Sequence, residues 1–157
     1  MMTATAEAWL RRFGRLPAWG RLTVGEQLAV DRLTLPLRGL HPALDGFRIV
    51  QLSDFHLYPY TQISFLRQVV EQAVSLQPDL LVLTGDYVTL DAEAIHELAP
   101  VLGQLNASFG VYAVLGNHDL WTNRQVVEAG FAQERLPVLI NQCVPITLGR
   151  GTLHLAG

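Results

Sequence analysis

The sequence predicts an α/β fold with a mostly parallel sheet and helical crossovers. Three short runs rich in apolar and β-branched residues predict strands, and polar residues follow each run; the second run is apolar on both faces, as buried parallel strands are. The runs are residues 47–52, 80–83 and 111–115. Asp86 lies 32 positions after Asp54, and Asn117 lies 31 positions after Asp86. Because this spacing matches one strand–helix–strand unit, right-handed crossovers would bring all three strand ends to one edge of the sheet.

Two stretches of different character precede these strands. Residues 5–16 have apolar side chains at helical spacing, and a proline and a glycine end that pattern. From Gln27 to Leu37, alternating apolar residues predict a strand that ends at Pro36. Residues 38–46 are rich in glycine and proline, so they predict the connection to the first strand of the sheet.

Helices are predicted in each connection between the strands and after the third strand. Residues 63–76 place an apolar stripe opposite polar side chains. Asp91 is suited to cap a helix that runs to about Leu105, in which Pro100 predicts a kink. Residues 123–135 form the third predicted helix. Three short strands are predicted to follow it, at residues 138–141, 144–148 and 152–156.

The composition excludes several classes of function. Half of the residues are apolar and the formal net charge is only -3, so we expect a globular domain without a nucleic-acid partner. The sequence contains no lysine, which excludes a Walker-type phosphate-binding loop. No run approaches the roughly 20 consecutive apolar residues that a transmembrane helix requires.

Positive charge is concentrated at the start of the chain. Residues 1–22 contain four arginines against Glu7, interleaved with aromatic residues. This composition is typical of a segment that lies on an anionic membrane surface, and equally of a helix that packs on its own domain, so both interpretations stay open for residues 8–22. We expect a cytoplasmic protein, placed peripherally at the inner face of the membrane under the first interpretation.

The polar strand ends supply carboxylate, imidazole and amide groups, namely Asp54, His56, Asp86, Asn117 and His118. Each group alone has an ordinary interpretation, because a strand-end Asp often caps a helix and an Asn after glycine often forms a turn. On three successive strands they predict a site for divalent cations such as Mn, Fe or Zn. Asp86 follows the middle strand, so it is the candidate to bridge two cations.

The motifs at the strand ends resemble those of the calcineurin-like metallophosphoesterase superfamily. They are Asp54-Phe55-His56, Gly85-Asp86 and Gly116-Asn117-His118-Asp119, in this order and spacing. The resemblance covers roughly residues 47–119. The run from Asp45 to Asp54 is also similar to a bacterial branch of small membrane-associated phosphodiesterases related to UDP-2,3-diacylglucosamine hydrolases.

The resemblance implies half of a four-layer α/β/β/α sandwich and a phosphoester hydrolase that uses two divalent metal ions and a metal-bound hydroxide. Asp54 and His56 would hold the first metal, Asp86 would bridge, and Asn117 would hold the second. His118 would contact the phosphate and assist departure of the leaving group. Asp119 would orient the ring of His118.

The superfamily completes this site with further histidines from a second half of the fold, whereas this sequence ends at Gly157. We therefore expect a basic aromatic segment at residues 1–25 and a metallophosphoesterase domain at 26–157 that is incomplete at its C-terminus. Two hypotheses remain at this point. The chain is a metal-dependent phosphodiesterase or phosphomonoesterase, or it is a truncated, inactive fragment that binds metal or docks on a membrane.

Overall fold

The computed structural model describes residues 28–157, and its central element is the predicted parallel sheet. The strands β1 (Ile49–Leu52), β2 (Leu80–Leu83) and β3 (Val111–Ala113) lie in the order β1-β2-β3. Both neighbouring pairs are parallel, with Ile49 opposite Leu80 and Leu81 opposite Val111. The α/β class is therefore confirmed, and the C-terminal ends of all three strands lie at one edge of the sheet.

Four helices accompany the sheet within residues 28–157. They are α1 (Ile63–Ser75), α2 (Ile95–Leu102), α3 (Asn117–Thr122) and α4 (Arg124–Gln133), with short 3-10 turns at Pro42–Leu44 and Ala92–Ala94. Asp91 caps the second 3-10 turn by accepting a hydrogen bond from the backbone N–H of Glu93 at 3.0 Å. Asn123 starts α4 in the same way, since its side chain accepts from the N–H groups of the next helical turn.

The core lies between the helices and the sheet. β2 is the middle strand, and its residues Leu80, Leu81 and Leu83 are at most 1% exposed. Complete burial of each such leucine stabilises the fold by about 1.5–3 kcal/mol. Tyr87 follows β2 into the core, where its ring lies 4.6 Å from the ring of Phe131 on α4. The same core therefore fixes the strand end that carries Asp86.

A two-stranded antiparallel hairpin ends the described chain. It consists of β4 (Cys143–Leu148) and β5 (Gly151–Ala156), close to the predicted 144–148 and 152–156. The predicted strand 138–141 is reduced to one β-bridge between Val138 and Ala113. The predicted helix to Leu105 already ends at Leu102, since the chain turns at Gly103.

The predicted strand from Gln27 to Leu37 is wrong over the residues that the structure describes. Residues 28–37 contain no strand, and Leu33 and Leu35 are 81% and 64% exposed. Alternation gives a strand only when a neighbouring strand satisfies the backbone N–H and C=O groups. No strand within residues 28–157 pairs with this segment.

Two predictions concern the beginning of the chain. The helix at residues 5–16 and the membrane-contact segment 8–22 both lie outside the described residues. Within residues 28–157, no helix has the length and apolar character that crossing a bilayer demands.

Candidate metal centre

The loops after β1 and β2 run side by side beyond the ends of their strands. The N–H of Asp54 donates to the carbonyl of Gly85 at 3.1 Å, and the N–H of His56 donates to the carbonyl of Asp86 at 2.9 Å. These bonds extend the parallel pairing into the polar segments. They set the first two ligand-bearing loops in register with each other.

The loops after β2 and β3 touch through two glycines. Gly85 has a φ of +100°, and a Cβ placed on it would lie 2.4 Å from the backbone N of Gly116. A Cβ on Gly116 would lie 2.1 Å from Oδ1 of Asp86. No larger residue fits at either place, which explains why both motifs contain a glycine directly before their polar residues.

Three of the predicted site residues adopt left-handed backbone geometry. The φ angles are +57° at Asp54, +43° at His56 and +57° at Asp86. For residues with a Cβ this region costs about 1–2 kcal/mol relative to ordinary backbone. Such residues concentrate at active sites and ligand clamps, where the surrounding structure holds them in place. Tyr58, Gln77, Arg135 and Asn141 share this geometry, so it accompanies the motif positions without being confined to them.

The side chains of His56, Asp86 and His118 form a compact cluster of donor atoms. One nitrogen or carboxylate oxygen from each lies within 4.8 Å of the other two. The two imidazole rings meet edge to face, with centroids 4.8 Å apart. Two imidazoles and a carboxylate are suitable ligands for Zn, Fe or Mn, so the donor set fits a divalent cation.

His56 lies between two carboxylates. Its Nε2 is 3.7 Å from Oδ1 of Asp54 and 3.7 Å from Oδ2 of Asp86. Its Nδ1 is buried and has no hydrogen-bond partner within residues 28–157. Asp54 itself is 68% exposed, so it forms the solvent side of the cluster. Asn117 is also exposed, at the first position of α3 beside His118.

His118 is held through both its backbone and its ring. Its N–H donates to Oδ1 of Asp86 at 3.0 Å, and its ring Nδ1 lies 3.2 Å from the carbonyl oxygen of Thr89. A proton on Nδ1 therefore donates to that carbonyl, which leaves the lone pair on Nε2. The carbonyl of Thr89 could not be found from the sequence, because a backbone group has no residue-type signature.

Asp119 differs from its predicted role. Its carboxylate is fully buried and accepts four backbone N–H bonds, and the hydrogen-bond partner of the His118 ring is the carbonyl of Thr89. The four bonds come from Asp86 (2.9 Å), Tyr87 (2.9 Å), Val88 (3.3 Å) and Gly116 (2.8 Å). Burial raises the pKa of Asp119, and the four donors act in the opposite direction. Asp119 therefore joins the loop after β2 to the loop after β3.

Two further histidines lie elsewhere. His96 on α2 is near Glu93, with Nε2 and Oε2 3.5 Å apart. His154 on β5 has its Nδ1 3.9 Å from the sulfur of the exposed Cys143. Neither belongs to the cluster of His56, Asp86 and His118.

Comparison with known proteins covers the same part of the chain. The sequence model of the calcineurin-like phosphoesterase family matches residues 47–151. The UDP-2,3-diacylglucosamine pyrophosphatase LpxG of Chlamydia muridarum is 44% identical over 105 residues, which is 66% of this chain and 32% of that protein. The transmembrane protein with metallophosphoesterase domain of Danio rerio is 33% identical over 107 residues, or 68% of this chain and 24% of the relative.

A bacterial relative of similar type is the uncharacterized metallophosphoesterase YkuE of Bacillus subtilis, with 43% identity over 77 residues, 48% of this chain and 27% of that protein. The chain thus spans about a quarter to a third of the length of these relatives. No solved structure matches it significantly.

Proposed function

Since the chain belongs to the calcineurin-like phosphoesterase family, we propose that it is a metal-dependent phosphoester hydrolase with a dinuclear metal centre. The observation that carries the proposal is the cluster of His56, Asp86 and His118, whose donor atoms come from three separate strand ends and lie within 4.8 Å of one another. A cation held by His56 and Asp86, with the imidazole of His118 beside it for the phosphate, would account for the arrangement.

The proposed ligands are the residues of the predicted motifs. Asp54 and His56 would hold one cation, Asn117 would hold the second, and Asp86 would be shared by both. The position of His56 supports this assignment, because its Nε2 is equally distant from the carboxylates of Asp54 and Asp86. Asp86 keeps Oδ2 directed towards His56, while Oδ1 accepts the N–H of His118. Asp86 therefore lies between the loop after β1 and the loop after β3.

Divalent cations held there would polarise the phosphoryl oxygens and lower the pKa of a bound water, so the protein would need no nucleophilic side chain. His118 contacts the phosphate and assists departure of the leaving group. The Thr89 carbonyl fixes the ring of His118 at Nδ1, so that Nε2 is the atom available to the phosphate. Asp119 contributes by holding the second and third loops together rather than by handling a proton.

The substrate class that we propose is an ester or anhydride of phosphoric acid. The Chlamydia relative is named a UDP-2,3-diacylglucosamine pyrophosphatase, which supports a phosphodiester or pyrophosphate linkage here. Contact of residues 8–22 with an anionic membrane belongs to the same proposal, because the substrate named for that relative is a lipid.

The test combines metal binding with hydrolysis. We expect calorimetric titration to show two Mn²⁺ sites, and Asp86→Asn to weaken binding more than about 100-fold, because loss of outer-shell partners alone typically costs 10–100-fold. The same variant should lose hydrolysis of bis-p-nitrophenyl phosphate. Glu71→Gln, an exposed charge change on α1, is the matched control and should preserve both properties.

Two results would count against the proposal in different ways. If Asp86→Asn binds Mn²⁺ as well as the unaltered chain does, the metal centre is not at this edge of the sheet. If Mn²⁺ binds at two sites and no phosphoester is hydrolysed, the alternative of an inactive metal-binding fragment replaces the enzyme.

A further inference from the structure

Four large apolar side chains are more than half exposed in the segments that carry the metal cluster. Tyr60 is 74% exposed, Leu90 79%, Leu120 54% and Trp121 74%. We call these four residues the apolar collar. Scattered exposed leucines are ordinary, but a concentration of large apolar groups including Trp and Tyr at one site indicates a binding surface. They come from two loops and the short helix α3, so the concentration does not reflect one hydrophobic run in the sequence.

Two members of the apolar collar pack against the proposed metal centre. The ring of Trp121 lies 5.2 Å from the ring of His118, tilted by 57°. The ring of Tyr60 lies 6.4 Å from the ring of His56 and meets it edge on. Each imidazole of the cluster thus has an exposed aromatic neighbour. A group attached to a phosphate at His118 would reach the face of Trp121 within a few bonds.

The charges around the apolar collar favour an uncharged occupant. Leu90 is followed by Asp91 and Glu93, which are both exposed. These carboxylates would repel the anionic headgroups of a membrane surface. An apolar organic group gains contact with Trp121 and Leu90 without such repulsion.

We propose that the apolar collar binds an uncharged apolar group that is esterified to the phosphate of the substrate. Trp121 and Tyr60 are the specificity-determining residues. This inference rests on the proposed function. It predicts that the site prefers phosphoesters with an alkyl or aryl group over those with a small polar one. Burial of two methylene groups corresponds to about a tenfold gain in affinity.

Calorimetry with two phosphonates tests this preference without requiring hydrolysis. Methylphosphonate and hexylphosphonate are titrated into the chain saturated with Mn²⁺. We expect hexylphosphonate to bind at least about tenfold more tightly, and we expect Trp121→Ala to reduce that ratio to about one. Leu90→Ala should reduce it partially. Leu37→Ala removes another exposed leucine, which lies outside the apolar collar, and it should leave both affinities unchanged.

The outcomes separate this inference from the function on which it rests. Failure of the unaltered chain to bind Mn²⁺ or methylphosphonate overturns both proposals. Binding of both phosphonates with equal affinity overturns the apolar collar alone and leaves the metal centre standing. A preference for hexylphosphonate that survives in Trp121→Ala also overturns it. Titration with phosphatidylglycerol vesicles adds one more arm, because Trp121-dependent vesicle binding without a phosphonate preference would assign the surface to a membrane.

Discussion

Asp119 is a charged residue whose whole hydrogen-bonding capacity is directed at backbone groups. It is fully buried, and its two oxygens accept N–H bonds from both the second and the third loop. Hydrogen bonds to an ionised acceptor contribute roughly 1.5–3 kcal/mol each to stability, which offsets the cost of burying the carboxylate. The residue therefore fixes the spacing of the strand ends that carry Asp86 and His118.

We predict that Asp119→Asn lowers the free energy of unfolding by about 2–4 kcal/mol. The amide offers only one acceptor oxygen, and its NH₂ group would face N–H donors that remain buried and unsatisfied. Urea unfolding followed by circular dichroism measures the change. Asp91→Asn is the control, because Asn caps a helical turn about as well as Asp does, and it should change stability by less than about 0.5 kcal/mol. An Asp119→Asn chain as stable as this control would refute the role.

For single residues, the sequence predicted which side chains lie together at the site, but it did not predict which backbone groups they contact. His56, Asp86 and His118 were expected together because polar residues after successive parallel strands share one edge of the sheet, and they do form one cluster. The carbonyl of Thr89 was not expected, because every residue has a carbonyl. The donors to Asp119 were missed for the same reason, and its expected partner was therefore the neighbouring imidazole.

Packing between helices α2 and α4 depends on one glycine. Gly130 is buried in α4, and a Cβ added to it would lie 2.8 Å from Cγ1 and 2.9 Å from Cγ2 of Ile95. Ile95 is completely buried at the start of α2. The missing side chain thus allows the backbone of α4 to approach the core residue that begins the neighbouring helix.

We predict that Gly130→Ala destabilises the protein by about 1–3 kcal/mol, although Ala favours a helix by up to about 1 kcal/mol over Gly. The added methyl group would force Ile95 or the whole of α4 to move. Denaturant unfolding measures the loss. Ala129→Gly, at the exposed neighbouring position, should cost about 1 kcal/mol through helix propensity alone. A more stable Gly130→Ala protein would show that α4 can shift freely.

Elements with a clear period of apolar residues were predicted from the sequence, and elements without such a period were not. Residues 63–76 had an apolar stripe over almost four turns, and α1 occupies Ile63–Ser75. The helix α3 covers only Asn117–Thr122, which is too short to display a period, and its residues were assigned to the site instead. The strand expected at 27–37 failed because alternation does not reveal whether a pairing partner is present.

The arrangement of the whole molecule places the proposed centre where three strand–loop units meet. A cation bound by Asp54, His56, Asp86 and Asn117 would connect the ends of β1, β2 and β3. These units are separated along the chain by about 30 residues each, so the unfolded chain cannot present the same ligands together. Metal binding should therefore stabilise the folded state as a whole.

We predict that Mn²⁺ raises the unfolding free energy by about 2.7 kcal/mol at a concentration 100 times its dissociation constant. Thermal unfolding with and without the metal measures the effect. His56→Ala should remove the response, whereas His96→Ala, at a histidine outside the cluster, should retain it. Equal responses from the two variants would place the stabilising metal somewhere else.

At Asp54, His56 and Asp86 the left-handed backbone lowers the stability of the fold, while the side chain of the same residue offers a ligand atom to a cation. Glycine adopts this geometry freely, but it offers no atom to a cation. A library of variants selected only for heat resistance in the presence of a chelator should therefore enrich glycine at these positions. The same library selected with Mn²⁺ present should keep Asp and His, because binding of the cation to these side chains then outweighs the cost of the strained backbone.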